Sequence, residues 1–124
     1  MEITIQLKRV YEPAEESDGL RILVDRMWPR GIKKSELKYD IWAKDVTPSI
    51  GLRRFFHDNP YGNWEKFSEE YREELLNNKA VDSLVTQICD SRFHNVTLLY
   101  GFRNPVKNHA VILRDVLKAK ISTL

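Results

Sequence analysis

This 124-residue sequence predicts an α/β fold: a single layered domain, with a mixed or partly parallel sheet of about four strands and helices packed on it. Three observations carry that prediction. Segments with strand patterning are separated by amphipathic helical stretches. Those stretches are long enough for the crossover of about a dozen residues that joins parallel strands. The final helical segment opens with Ala110-Val111-Ile112-Leu113, apolar nearly all round, as expected of a helix lying on a sheet.

The elements follow in chain order. Ile3, Ile5 and Leu7 alternate with Glu2, Thr4, Gln6 and Lys8, the period of a strand with one buried face. An acidic loop with Glu12, Glu15, Glu16 and Asp18, punctuated by Pro13 and Gly19, leads to a second strand over residues 20–25, whose Ile22-Leu23-Val24 run suits burial on both faces. Residues 41–43 read as a weak third strand or an extended segment. Thr47 and Pro48 read as N-cap and first position of a helix that buries Leu52, Phe55 and Phe56 and ends at Asp58-Asn59-Pro60. Asn63 reads as the cap of the next helix, with Trp64, Phe67, Tyr71 and Leu75 on one stripe. Beyond Asn77-Asn78, a third helix presents Val81, Leu84, Val85, Ile88 and Cys89. Residues 95–100 are a strong strand, rich in β-branched and aromatic types and closed by Gly101, and Asn108 caps the last helix.

Composition narrows the class. With 42% hydrophobic and 31% charged residues, the chain has enough apolar matter for a core and no low-complexity tract. Its longest apolar run, residues 96–102, is too short to span a bilayer, and the N-terminus alternates like a strand and does not resemble a signal peptide, so a cytoplasmic location is expected. The single cysteine, Cys89, excludes an internal disulfide and a multi-thiolate metal site. No metal-ligand spacing, Gly-rich phosphate loop or nucleic-acid motif is present, so no cofactor is expected. A net charge of +2 does not by itself argue for nucleic acid, but Arg21, Arg26, Arg30, Lys33, Lys34 and Lys38 make a basic segment beside the acidic loop.

The segment from Leu23 to Lys34 runs from an apolar strand into arginine, tryptophan, proline and glycine. Guanidinium forks and an aromatic face are the groups that hold anions and planar ligands. In parallel sheets, ligands sit beyond the carboxyl ends of the strands. That rule gathers Asp25, Arg26, Lys44, Asp45 and Tyr100 to Arg103 on one rim, with Asn108 and His109 beside it. Arg26, Arg30, Lys44 and Arg103 would hold charge, with Tyr100 and Asn108 completing the ligand-binding set. Asp25, Asp45 and His109 would handle protons, and Trp28 would cover a planar group. The competing structural reading is an internal ion-pair network, Arg26 or Arg30 with Asp25 or Asp45, and a histidine that only packs.

Four blocks carry a family resemblance: Val24-Asp-Arg-Met-Trp-Pro-Arg-Gly31, Ile41-Trp-Ala-Lys-Asp-Val-Thr-Pro-Ser49, the segment from Phe55 to Tyr71, and Thr97-Leu-Leu-Tyr100 with Asn108-His-Ala-Val111. Together they closely resemble the YeaO-like branch of the bacterial DUF488 family, over nearly the whole chain. The resemblance implies a lineage and names no activity. Other branches look as if they carry cysteine at the position of Tyr100 and a Cys-His-Arg motif at residues 108–110, so the thiols are missing here and the histidine remains. Two functions stand open: a small α/β protein binding a phosphate- or carboxylate-bearing ligand at the strand ends, with or without catalysis, and a nucleic-acid- or protein-binding module using residues 21–38. Salt dependence separates them, because phosphate-backbone binding weakens steeply with salt.

Overall fold

The computed structural model describes residues 2–124. Four strands, β1 (Thr4–Arg9), β2 (Leu20–Leu23), β3 (Ile41–Trp42) and β4 (Asn95–Tyr100), form one sheet in the order β1-β4-β2-β3, and every pairing is parallel. The helices are α1 (Ile50–Asp58), α2 (Trp64–Leu76), α3 (Lys79–Ser91) and α4 (His109–Ser122). The sheet is thus fully parallel where the sequence left room for a mixed one. The two short connections, 10–19 and 24–40, run back along the sheet as loops, so each strand starts from the same end.

The two faces are covered differently. Ile5, Leu20, Ile22, Val96, Leu98 and Tyr100 face the helices and form the main core with Phe56, Phe67, Tyr71, Ile88, Leu113 and Leu117. The opposite face carries Leu23 and Leu99 beneath Val10, Leu37, Trp28, Ile32 and Trp42, all from strand ends and loops. Loop 10–19 crosses this face above β4. Gly19 makes the crossing possible: its φ is +64°, and a Cβ there would run into the Asn95 carbonyl.

Under that loop lies a buried charged cluster. The Asp18 carboxylate accepts from Lys8 Nζ at 2.9 Å, from the Glu15 backbone N–H at 3.0 Å and from Arg21. Thr97 Oγ1 donates to the Asp18 carbonyl at 2.7 Å, and Arg21 Nε donates to the Lys38 carbonyl at 2.7 Å. Burial alone would raise the Asp18 carboxyl, but the hydrogen bonds from Lys8, Glu15 and Arg21 outweigh it and hold the group below the usual carboxylate range. The acidic loop and the basic segment therefore meet internally at Asp18 and Arg21.

Helix caps account for two boundaries. α1 starts two residues later than the sequence predicts, because Thr47 Oγ1 donates back to the Lys44 carbonyl at 2.7 Å within a 3₁₀ turn, leaving Ser49 to accept the Leu52 N–H at 3.3 Å. Asn63 precedes α2 without capping it through its side chain, which donates instead to the Phe55 carbonyl at 2.7 Å.

Candidate functional site

The carboxyl ends of β2 and β4 meet the start of α4 at a constellation built on Asp25, Gly101 and His109. Leaving β4, Gly101 donates its N–H to Asp25 Oδ2 at 2.9 Å, and a Cβ on this glycine would sit 3.0 Å from the same oxygen. From the first turn of α4, His109 Nε2 lies 2.7 Å from the Val24 carbonyl and 3.1 Å from Asp25 Oδ1. A carbonyl can only accept, so Nε2 carries the hydrogen and donates it to Val24, which leaves Nδ1 as the ring nitrogen without a partner among the described residues. Asp25 Oδ1 is buried beside the imidazole and makes no hydrogen bond among the described residues. The Trp42 indole donates to the Asp25 carbonyl at 2.7 Å and fixes the backbone here.

A cavity of about 330 Å³ opens above this constellation. Its depth is set by Asp25, His109, Phe56 and Phe67, and its mouth by the exposed Arg26, Arg30, Arg53 and His57. Arg26 donates to the Pro48 carbonyl at 3.3 Å. Among the described residues, none of Arg26, Arg30 and Arg53 has a carboxylate within ion-pair distance. Tyr11, from the crossing loop, closes one side by donating its hydroxyl to the Arg30 carbonyl at 3.0 Å.

Of the residues the sequence singles out, Asp25, Arg26, Trp28, Arg30 and His109 line this cavity together. Trp28 does so from a fixed position, its indole donating to the Ile32 carbonyl at 2.6 Å and packing edge-on against Tyr39 and Trp42. The others fall outside. Lys44 lies 3.8 Å over the Trp42 ring, and Asp45, on the exposed 3₁₀ turn, contributes its backbone carbonyl to Asn78. Tyr100 is buried in the core with its hydroxyl pushed up by burial. Asn108 is wholly buried as the cap of α4, accepting the Val111 N–H at 3.2 Å and donating to the Asn104 carbonyl at 2.9 Å. Arg103 belongs to a neighbouring groove.

Sequence reasoning overlooked Arg53 and His57. They stand four residues apart on α1, on the flank of the Leu52 and Phe56 stripe, and that spacing is the signal that could have found them. Partial burial of the ring, then the neighbouring Arg53 and His109 charges, lowers the His57 imidazole below its ordinary value, with Asp25 acting weakly the other way.

Residues 4–123 match a family described as the inactive DUF488-N3 subclade. The chain is 45% identical over 117 residues to the uncharacterised protein YeaO of Escherichia coli (strain K12), covering 94% of this chain and 99% of that one. It is 36% identical over 119 residues to the uncharacterised protein Rv3073c of Mycobacterium tuberculosis (strain ATCC 25618 / H37Rv), covering 96% and 98%. The uncharacterised protein Mb3100c of Mycobacterium bovis (strain ATCC BAA-935 / AF2122/97) is similar to the same extent. No solved structure matches the chain.

Proposed function

Because this chain belongs to the DUF488 family, in the subclade described as inactive, we propose that its strand-end cavity is a receptor for a small phosphate- or carboxylate-bearing ligand that it binds without transforming. One observation carries the reading: Arg26, Arg30 and Arg53 line the mouth of one cavity, and among the described residues none of them has a carboxylate within ion-pair distance. Guanidinium groups in that state favour bidentate capture of an external anion. His109 lines the same cavity, its ring held by the contact of Nε2 with the Val24 carbonyl.

Binding is favoured over turnover by how the lining is used. Both hydroxyls at the cavity wall are spent on backbone, Thr47 on the Lys44 carbonyl and Tyr11 on the Arg30 carbonyl. One oxygen of the Asp25 carboxylate holds the Gly101 N–H, a structural duty, and the positions of Tyr100 and Asn108 serve the core and a helix cap. The basic segment is a weaker candidate for a nucleic-acid surface, because Arg21 is buried against Asp18.

Calorimetry and thermal-shift titration with inorganic phosphate, sugar phosphates and small carboxylates test the reading. Arg30→Ala and Arg53→Ala should each weaken binding by roughly ten- to a hundredfold, the worth of hydrogen bonds to a charged group, and the ligand should be recovered unchanged. Equal affinity in both variants, or catalytic consumption of the ligand, would refute it.

A further inference from the structure

We infer that the site is bipartite and that its ligand is a two-unit phosphate ester with planar groups, of the dinucleotide class; this rests on the anion-receptor reading above. A second, shallower groove of about 730 Å³ adjoins the first cavity, and the two share His57, Gly101 and Phe102. Phe102 is the ridge between them. Its ring lies 5.2 Å from that of Phe56, in the deep cavity, and 5.5 Å from the His57 ring at the mouth.

The second groove repeats the chemistry of the first. Arg103 is exposed there with no carboxylate within ion-pair distance among the described residues. Tyr61, in the turn between α1 and α2, is 74% exposed, and Pro60 and Pro105 stiffen the walls. Among the described residues, no acidic side chain lines this groove, and Asp25 is the one carboxylate lining the other. A lone metabolite anion would need only the arginine mouth. Two cavities in series, each with a cationic group and an aromatic ring, fit a chain that repeats a phosphate and a planar base, since stacking on aromatic rings with arginine at the backbone is how such chains are held.

Adenosine monophosphate, its 5′-phosphorylated dinucleotide and longer adenylate oligomers, titrated calorimetrically into the wild type, Tyr61→Ala and Arg103→Ala, test this. Both side chains are exposed, so their loss leaves the fold intact. The dinucleotide should bind roughly tenfold or more tightly than the mononucleotide. Each substitution should abolish that advantage and leave mononucleotide affinity unchanged. A dinucleotide bound no better than the mononucleotide, or an advantage that survives both substitutions, would overturn the second subsite and leave the anion receptor standing. Affinity that keeps climbing with every added nucleotide and collapses with salt would overturn the two-unit limit in favour of a nucleic-acid track. Failure of all nucleotides, with phosphate or a carboxylate still bound, would overturn the ligand class, whereas failure of every anion would remove both readings.

Discussion

At the scale of single residues, Asp25 is held by what surrounds it: one oxygen takes the Gly101 N–H and the other is shut in beside His109 without a hydrogen bond. Asp25→Ala should cost about 1–3 kcal/mol by stranding a partly buried N–H, and Asp25→Asn clearly less, because an amide oxygen still accepts. Urea denaturation of the two variants measures the difference, and equal losses would show that the bond contributes little. His57 makes the second residue-scale prediction. Its imidazole is held below the ordinary value by burial and by neighbouring positive charge, so an anion entering the cavity draws a proton onto it. Affinity for sulfate, whose own charge is constant, should therefore rise as the pH falls from about 8 to about 5. His57→Gln should flatten the profile. Aspartate and arginine at the strand end were legible in the sequence because a parallel sheet dictates where its strand ends point. Lys44 and Asp45 were not separable from them, since a two-residue strand followed by a 3₁₀ turn swings both away, and no residue pattern announces that swing.

Among the elements, α4 depends on its cap. Asn108 satisfies the Val111 N–H and ties back to the Asn104 carbonyl, all in complete burial. Asn108→Ala should lower stability by about 2 kcal/mol, and Asn108→Asp should recover part of that through the cap alone. Thermal melts of both variants decide it, and an alanine variant as stable as the wild type would refute the structural role. The same substitution should disturb the cavity, because α4 carries His109 into it on its first residue. Helix stripes and the strand at residues 95–100 were read correctly because their periodicity reflects one buried face and needs no knowledge of the partner. The start of α1 was misplaced because Thr47 and Ser49 are both capping types, and only the geometry of the preceding turn decides which hydroxyl is spoken for.

For the molecule as a whole, the charged cluster under loop 10–19 links stability to pH. The Asp18 carboxyl is lower in the fold than in the open chain, so its contribution is present above the usual carboxylate value and is lost as the pH falls through the folded one. Glu15, then Asp18, raise the Lys8 ammonium against the opposing effect of burial, so that contribution is complete below the ordinary lysine value and fades as the pH climbs through the folded one. Denaturation curves should thus weaken at both extremes, and Asp18→Asn should flatten the acid limb. The α/β class was legible because strands and helical stretches alternate along the chain, but the order β1-β4-β2-β3 depends on pairings between segments up to 91 positions apart, such as Gln6 beside Thr97. That arrangement has a consequence for biosynthesis. The interior strand that joins β1 to β2 is the last strand to leave the ribosome, so a nascent chain ending before residue 95 holds three strands with nothing between β1 and the β2–β3 pair, and its aromatic helices are uncovered. Such an intermediate has to be sheltered from aggregation until the final quarter of the polypeptide arrives to zip the sheet shut.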